Sequence, residues 1–409
     1  MEGPFMNFPR IERSIIILVL GFFIVLVSFA IRYSYGILLP EMLLSLNISK
    51  LEAGIIYTSH FLGYTIFSLI LGVLIDRYNA RKIISIFLLI AGIGILLLSL
   101  SNTLLEATIS YMLTGIGCAA AWVPIVVVIQ RWFSKKRAFS VAVTAAGAHS
   151  TFALSGIIMP LLVRIGSWRL GWQTLGLASL ILVPLTWFLL KSYPEGYEQK
   201  KIVRGWNQYK FSLLNMAKDI KLWMLGLSYM FVGFYVAILL AFLSTYCFLE
   251  LLLPYENAAA VVSMITIGAV PGVIILSFFS EIIGRIKAMI IDGSFPILGL
   301  LGIILASNFL NLAFITVSLS AIIYGIGFGA LGTLYAAYAS DIFSEEYIGA
   351  VQGLLIVFFG IGCMISPPLA GWMADITKTF KLSFLTALIA SFLSVLLLLP
   401  TRKYQKENN

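Results

Sequence analysis

Charged side chains are scarce in this sequence. Asp, Glu, Lys and Arg make up 11% of the 409 residues, whereas 60% of the residues are hydrophobic. A soluble domain of this length does not have such a composition, so the chain is predicted to lie in a lipid bilayer. The net charge of +9 does not indicate nucleic-acid binding, because the basic residues stand in short clusters between apolar runs.

Histidine, cysteine and membrane-embedded carboxylates are also few. The chain has two histidines and three cysteines, and each cysteine falls inside an apolar run without metal-ligand spacing. Nearly all of the 18 acidic residues lie in loops or at the ends of apolar runs. The sequence shows no Ser–His–acid set, no paired mid-membrane carboxylates and no metal-ligand cluster. It therefore predicts no enzyme, no metal site and no bound cofactor.

Long apolar runs dominate the chain. A helix needs about 20 apolar residues to cross a bilayer, and twelve runs are long enough. The longest polar interruption, 192–221, divides them into two groups of six. The prediction is an all-α membrane protein of two pseudo-symmetric six-helix bundles, 1–192 and 222–409, with a cytoplasmic linker at 193–221. The predicted helices are 14–39, 51–75, 83–101, 104–131, 138–164, 170–191, 222–248, 257–280, 286–306, 310–340, 346–373 and 380–400.

The basic residues of the loops predict an orientation. Most of the 27 Lys and Arg residues lie in the terminal segments, the central polar segment and alternate connecting loops, which are all on one side. The positive-inside rule then places both termini and the linker in the cytoplasm. No small-residue cleavage site follows the first apolar run, so this run is predicted to remain as a helix. We expect a monomeric, multi-pass protein of the inner or plasma membrane.

The two halves of the chain repeat one another. The segment 115–140 aligns with 325–350 at a shift of 210, and 32–42 aligns with 241–251 at a shift of 209. Matches at nearly one shift indicate that each half is one structural unit of six helices. The glycine-rich "GIGFG" at 325–329 has no strand before it, so we predict close helix packing rather than phosphate binding.

The segment "GVLIDRYNARK" at 72–82 resembles the signature loop of the major facilitator superfamily, G-x-x-x-D-R-x-G-R-[RK]. Asn79 stands where glycine is usual, and Ala80 stands where a basic residue is usual. The resemblance extends over essentially the whole chain, and it implies a transporter in which this loop gates the cytoplasmic side. The residues that fit the loop are Gly72, Asp76, Arg77, Arg81 and Lys82.

Two further segments resemble the monocarboxylate and oxalate/formate-type branch of this superfamily. They are "RYSYGILLP" at 32–40 and the segment 145–172. The branch often carries a basic residue in its eighth or eleventh helix, but the corresponding runs of this chain contain none. The resemblance implies a small organic anion, above all a monocarboxylate, as the substrate.

Arg32 is a permanent positive charge near the end of the first apolar run. A charge within the membrane is costly, so it usually faces a cavity and has a partner. No carboxylate is evident at the depth of Arg32, and Asp292, one or two turns inside its run, is the one acid away from a loop or helix end. A guanidinium without an internal counter-ion can bind a carboxylate substrate. The alternative is that Arg32 extends to the membrane surface or binds backbone carbonyls.

Other polar and aromatic residues at similar depth are candidates for the same cavity. Tyr33 and Tyr35 would add hydroxyl groups beside Arg32, and Tyr35 followed by Gly36 would allow the helix to bend. The only histidines, His60 and His149, are predicted to lie mid-membrane, where either could carry a coupled proton. For each of these residues, packing inside the protein remains the alternative. Further candidates are Trp122, Tyr235, Tyr335, Tyr338 and Gln352.

These observations predict a secondary transporter of a small organic anion that works by alternating access, with lipid and the anion as its partners. Coupling to protons through a histidine, exchange, and the absence of coupling all remain open. Two alternatives are a carrier of neutral or hydrophobic solutes, including drug efflux, and a membrane receptor that has this fold without transport. Short loops and the lack of an appended soluble domain argue against the receptor.

Overall fold

The computed structural model describes residues 10–133, 137–194, 218–343 and 348–404. All regular elements in these ranges are helical, and twelve helical segments are long and apolar enough to cross a membrane. The predicted class, an all-α protein of twelve membrane helices, is confirmed. The α-helices are α1 Arg10–Leu46, α2 Lys50–Arg77, α3 Ala80–Leu100, α4 Leu104–Cys118, α5 Val123–Trp132, α6 Arg137–Ile165, α7 Trp168–Leu189, α8 Ile220–Leu249, α9 Tyr255–Ile283, α10 Arg285–Ala306, α11 Ala313–Ile342, α12 Ile348–Thr377 and α13 Lys381–Leu398.

The fourth membrane segment departs from the single predicted helix 104–131. It consists of α4 and α5, with a short 3₁₀ turn, Ala119–Ala121, between them. Pro124 has no backbone N–H, so it cannot donate the helical hydrogen bond to the carbonyl of residue 120. The break places Trp122 at a bend between two helices rather than on one continuous face.

Side chains at the turns cap the helices. Ser49 with Glu52, and Thr103 with Glu106, form capping boxes at the starts of α2 and α4. Such caps satisfy backbone N–H groups that no helical turn can reach. Asn79 caps α3 by accepting from the backbone N–H of Arg81 at 3.0 Å. Asn79, one of the two residues that depart from the signature loop, is therefore the N-cap of α3.

Glycines in the two halves make matching close contacts. We call the described residues up to 194 the N-terminal half and those from 218 the C-terminal half. A Cβ at Gly115 would collide with the backbone oxygen of His60 on α2, and one at Gly325 would collide with that of Ile265 on α9. These glycines are equivalent in the sequence repeat, so both repeats use the position for close helix approach.

The two halves meet at the end of the bundle away from the chain termini, here called the distal end. Gly36 of α1 packs against the backbone oxygen of Leu240 on α8, and Gly54 of α2 packs against that of Pro367 on α12. Thr58 donates to the carbonyl of Met364 at 2.6 Å. On a third pair, α6 and α9, Ser263 donates to the carbonyl of Phe152 at 2.9 Å.

A carboxylate of the C-terminal half caps a helix of the N-terminal half at this distal end. The oxygens of Asp375 on α12 accept from the backbone N–H groups of Lys50 and Leu51 at 3.1 and 2.9 Å. The Nζ of Lys50 also donates to the carbonyl of Ala374 at 3.3 Å. Negative charge at a helix N-terminus is stabilising, so this contact holds the distal end closed.

Candidate functional site

Arg32 lies deep within the bundle, surrounded by aromatic rings. Its side chain is 8% exposed, and its Cζ lies 4.1 Å from the ring centroid of Tyr64, 5.0 Å from that of Phe61 and 5.1 Å from that of Phe29. Arg32 forms no ion pair with any carboxylate in the described ranges, and its Nε has no hydrogen-bond partner there. We call Phe29, Phe61 and Tyr64 the aromatic cage.

The aromatic cage partly stabilises the positive charge of Arg32, but it does not replace a counter-ion. The face of each ring attracts a cation by about 0.5–2 kcal/mol. A ring face does not accept the hydrogen bonds that the guanidinium N–H groups donate in the plane of the guanidinium. The helix also continues to Leu46, past its predicted end at 39, so Arg32 is about 21 Å from the distal end of α1 rather than about 12 Å. The side chain is buried within the bundle, and its N–H groups remain able to bind a planar anion.

The two tyrosines beside Arg32 have different surroundings. The ring of Tyr33 stacks on Phe152 of α6, with centroids 4.0 Å apart. The hydroxyl of Tyr35 instead donates to the carbonyl of Ala53 on α2 at 2.7 Å, inside the N-terminal half. α1 continues as a helix past Tyr35, and Gly36 allows close contact with α8.

The two histidines lie in different places. His60 on α2 is fully buried, with its ring 4.7 Å from that of Tyr111, and neither of its ring nitrogens has a hydrogen-bond partner in the described structure. His149 on α6 is partly buried, and its backbone carbonyl accepts from Thr266 of α9 at 3.2 Å. His60 is therefore next to the cage residue Phe61, whereas His149 is at the contact between the halves.

Trp122, at the start of α5, joins the wall around Arg32. Its ring centroid is 6.2 Å from that of Phe29. The structure thus brings Arg32, Tyr33 and Trp122 together, with His60 behind the cage. The cage rings were not predicted from the sequence. Their spacing could have shown them, since positions three or four residues apart share one face of a helix, as Phe29 and Arg32 do on α1 and Phe61 and Tyr64 do on α2.

In the C-terminal half, two of the predicted donors bond to their own half. The hydroxyls of Tyr335 and Ser228 lie 2.5 Å apart. Tyr338 donates to the carbonyl of Thr401 at 2.8 Å. Tyr235 is fully buried and its hydroxyl has no partner in the described structure, whereas Gln352 is partly buried on α12.

Ring contacts connect the two halves near Arg32. Phe152 of α6 lies 5.6 Å from Phe328 of α11, and Phe328 stacks with Tyr324 at 6.2 Å. Since Phe152 also stacks on Tyr33, a continuous series of rings runs from the neighbour of Arg32 into α11. None of these three residues was among the sequence candidates.

The segment 72–82 lies at the other end of α2 from the distal contacts. The side chains of Asp76 and Arg77 are outside the described structure. A Cβ at Gly72 would meet no described heavy atom within 4 Å, so Gly72 makes no close helix contact in the described structure. Arg81 places its Cζ 5.9 Å from the ring centroid of Trp187, and Lys82 is exposed.

Similarity to known proteins extends over most of the chain. The family model of the Major Facilitator Superfamily matches residues 21–357 and 316–409. A hexuronate transporter of Bacillus subtilis is 22% identical over 386 residues, which cover 88% of each chain. Monocarboxylate transporter 12 of Rattus norvegicus is 23% identical over 362 residues, covering 76% of this chain and 69% of that protein.

Two solved structures share the fold. A bacterial homologue of the human lysosomal transporter Spinster, crystallised in an inward-facing and unoccupied conformation, has a TM-score of 0.75 at 17% identity. The alignment covers 99% of this chain and 100% of that one. The nucleoside transporter NupG has a TM-score of 0.75 at 16% identity, covering 96% and 99% of the two chains.

Proposed function

Because the chain belongs to the major facilitator superfamily and is a membrane transporter of small molecules, we propose that it carries a small organic anion with one carboxylate. Arg32 binds the carboxylate through its guanidinium. The observation that carries the proposal is the burial of Arg32 inside an aromatic cage, without an ion pair to any described carboxylate.

The chemistry of this site favours an anion. Burying an unpaired charge costs several kcal/mol, and ring faces offset only part of that cost. A carboxylate that docks in the plane of the guanidinium adds two charge-assisted hydrogen bonds. Monocarboxylates and hexuronates, named by two of the relatives, each present one carboxylate, which is the feature Arg32 would bind.

The places where the halves touch support a proposal of alternating access. In the structure the contacts of α1 with α8, α2 with α12 and α6 with α9 close the distal end. We place both termini in the cytoplasm, so this state would open to the cytoplasm. The bundles 1–192 and 222–409 then rock about the site, and the loop 72–82 closes the cytoplasmic side in the opposite state. A reporter fused at Asn409 should therefore be cytoplasmic.

Replacing Arg32 tests the proposal directly. Arg32→Gln removes both the charge and the pair of N–H donors that would bind both carboxylate oxygens. We expect binding of a monocarboxylate to weaken by about 2–4 kcal/mol, roughly thirty- to a thousand-fold. Arg32→Lys keeps the charge but loses bidentate geometry, so its affinity should be intermediate. Binding is measured by calorimetry on purified protein, together with the thermal stability of the ligand-free variants.

Arg164→Gln is the matched control, because Arg164 is exposed at the distal end of α6. It should bind like the wild type. If Arg32→Gln lowers ligand-free stability while carboxylate affinity stays normal, Arg32 is structural and the anion site is refuted. Binding of neutral solutes but no carboxylate by the wild type would favour the alternative carrier.

A further inference from the structure

A carboxylate with no role in the proposed anion site is buried in the C-terminal half. Asp292 on α10 is 2% exposed, and its Oδ1 accepts no hydrogen bond from any described group. No Lys or Arg in the described ranges pairs with it. The sequence marked Asp292 as the one acid away from a loop or helix end, and the structure shows that it faces the interior of the protein.

The backbone at Asp292 is also unusual. Pro296 stands four residues further along α10 and has no N–H, so the carbonyl of Asp292 lacks its usual helical hydrogen bond. Gly327 of α11 packs directly against that carbonyl oxygen and against the ring of Pro296. Asp292 therefore lies at a weakened turn of α10 and in close contact with α11.

The neighbouring helices bring phenol groups toward Asp292. The carboxylate is within electrostatic range of Tyr235 on α8 and Tyr335 on α11. Tyr324 of α11 packs against Gly299, two turns further along α10. The hydroxyls of Tyr235 and Tyr324 are buried and, like Oδ1, have no partner in the described structure.

No described cation from the other packed elements compensates Asp292. The only charged residue of α13 is Lys381, at the distal end, and Val395 of α13 faces Gly293. On α9, Glu281 is exposed and is an acid, so it offers no positive charge to Asp292. Arg285, at the start of α10, pairs instead with Asp341 at 3.6 Å. The side chains of Arg402, Lys403 and Tyr404, in the last 3₁₀ turn, lie outside the described structure.

A carboxylate in this position is stable as the neutral acid. An ionised carboxylate without hydrogen bonds or a counter-ion costs several kcal/mol in such surroundings, and protonation removes that cost. Ionisable groups within membrane helices are for this reason commonly part of ion or proton pathways. His60 is less suited to bind a proton, because its positive form would stand behind the cage of another cation, Arg32.

A series of contacts connects the surroundings of Asp292 with the anion site. Tyr235 lies 6.2 Å from Tyr324, which stacks on Phe328 at 6.2 Å. Phe328 contacts Phe152, and Phe152 stacks on Tyr33 next to Arg32. A change in how α10 packs on α11 would therefore reach the anion site through contacting rings.

We propose that Asp292 binds the proton that is transported together with the anion. A proton from the aqueous side joins the ionised carboxylate to give the neutral acid, and the acid releases it on the other side after the halves have rearranged. The proposal rests on the proposed anion transport for its coupling, but proton binding itself can be observed without a substrate.

Infrared spectroscopy of the purified protein tests proton binding alone. The neutral acid has a carbonyl stretching band in the infrared spectrum. In deuterated buffer this band should disappear at high pH, because the acid ionises to a carboxylate. Asp292→Asn should remove this band, whereas Asp341→Asn, at a half-buried acid that pairs with Arg285, and Arg32→Gln should retain it. If the band is unchanged in Asp292→Asn, Asp292 does not hold a proton and the proposal is refuted. If Asp292→Asn does not fold, Asp292→Glu replaces it. A band at a shifted position in Asp292→Glu assigns the band to residue 292, whereas an unshifted band refutes the proposal.

Transport in proteoliposomes tests the coupling. With a pH gradient, Asp292→Asn should lose at least ten-fold in accumulation of a monocarboxylate, while counterflow exchange stays within about three-fold of the wild type. Accumulation that survives, or that follows a sodium gradient in the wild type, overturns the proposal. So does loss of both activities together. If the wild type moves no carboxylate at all, the proposed function and the coupling fail, whereas the infrared result still decides whether Asp292 binds a proton.

Discussion

The two halves of the chain pack their glycines alike but bury different ionisable groups, Arg32 in one and Asp292 in the other. Gly115 and Gly325 occupy equivalent repeat positions and contact the second helix of their own half, α2 and α9. Gly117 and Gly327 then contact the third helix, and here the halves differ: Gly117 meets Ala91, whereas Gly327 meets the backbone of Asp292. The comparison shows that a shared backbone arrangement does not determine where charge is placed.

The surroundings of Arg32 and Asp292 also differ in chemistry. In the N-terminal half a cation lies among ring faces, which attract positive charge. In the C-terminal half a carboxylic acid is buried without an ion pair to any described cation, and no described group donates a hydrogen bond to its Oδ1. The rings around Arg32 therefore favour its charged form, whereas the surroundings of Asp292 favour the neutral acid.

The largest effect should come from breaking the shared packing. Gly115→Ala and Gly325→Ala would each place a Cβ against a backbone oxygen, which cannot move without shifting a helix. We expect each to destabilise the protein by about 1–3 kcal/mol, as overpacking does. Thermal unfolding of purified protein measures the effect. Gly332→Ala is the control, because nothing lies within 4 Å of a Cβ there. Tolerance in one half alone would show that the halves are not packed alike.

A smaller effect is expected where a residue of one half caps a helix of the other. Asp375→Ala removes two hydrogen bonds to the start of α2, a loss of about 0.5–2 kcal/mol for a helix cap. Because this cap exists only when the halves touch, the loss should favour opening of the distal end. Distances between spin labels on α2 and α12 would report it. Asp341→Ala, at the other end of the bundle, should leave these distances unchanged. If Asp341→Ala shifts the distances between α2 and α12 as much as Asp375→Ala does, the effect does not come from the cap.

The smallest effect separates two tyrosines of the C-terminal half. Tyr335→Phe removes the hydroxyl that bonds to Ser228 and should cost about 0.5–1.5 kcal/mol of stability. Tyr235→Phe removes a buried hydroxyl that has no partner in the described structure, so its stability should hold or rise. Thermal unfolding compares the two variants. The reverse order of stability would mean that the hydroxyl of Tyr235 binds a group that the structure does not describe.

Much of the fold could be predicted because membrane helices are determined locally. Every backbone polar group within a bilayer must be satisfied inside its own helix, so runs of about 20 apolar residues predict spans. All twelve spans followed from such features, whereas the family was inferred from the resemblance of the segment 72–82 to a known signature loop. The errors came from local backbone chemistry that apolar runs do not reveal, such as the Pro124 break and the extension of α1 to Leu46.

The partners of buried groups depended on tertiary structure. Sequence alone determined that Arg32 and Asp292 are charges inside apolar runs. Only the folded chain decided that Arg32 meets Tyr64 on another helix, that Tyr335 bonds to Ser228 across 107 positions, and that Asp292 is buried without an ion pair to any described cation. The physical reason is that burial makes a polar group depend on whichever side chain a distant helix brings to it, and helix packing is set by the summed contacts of the whole bundle.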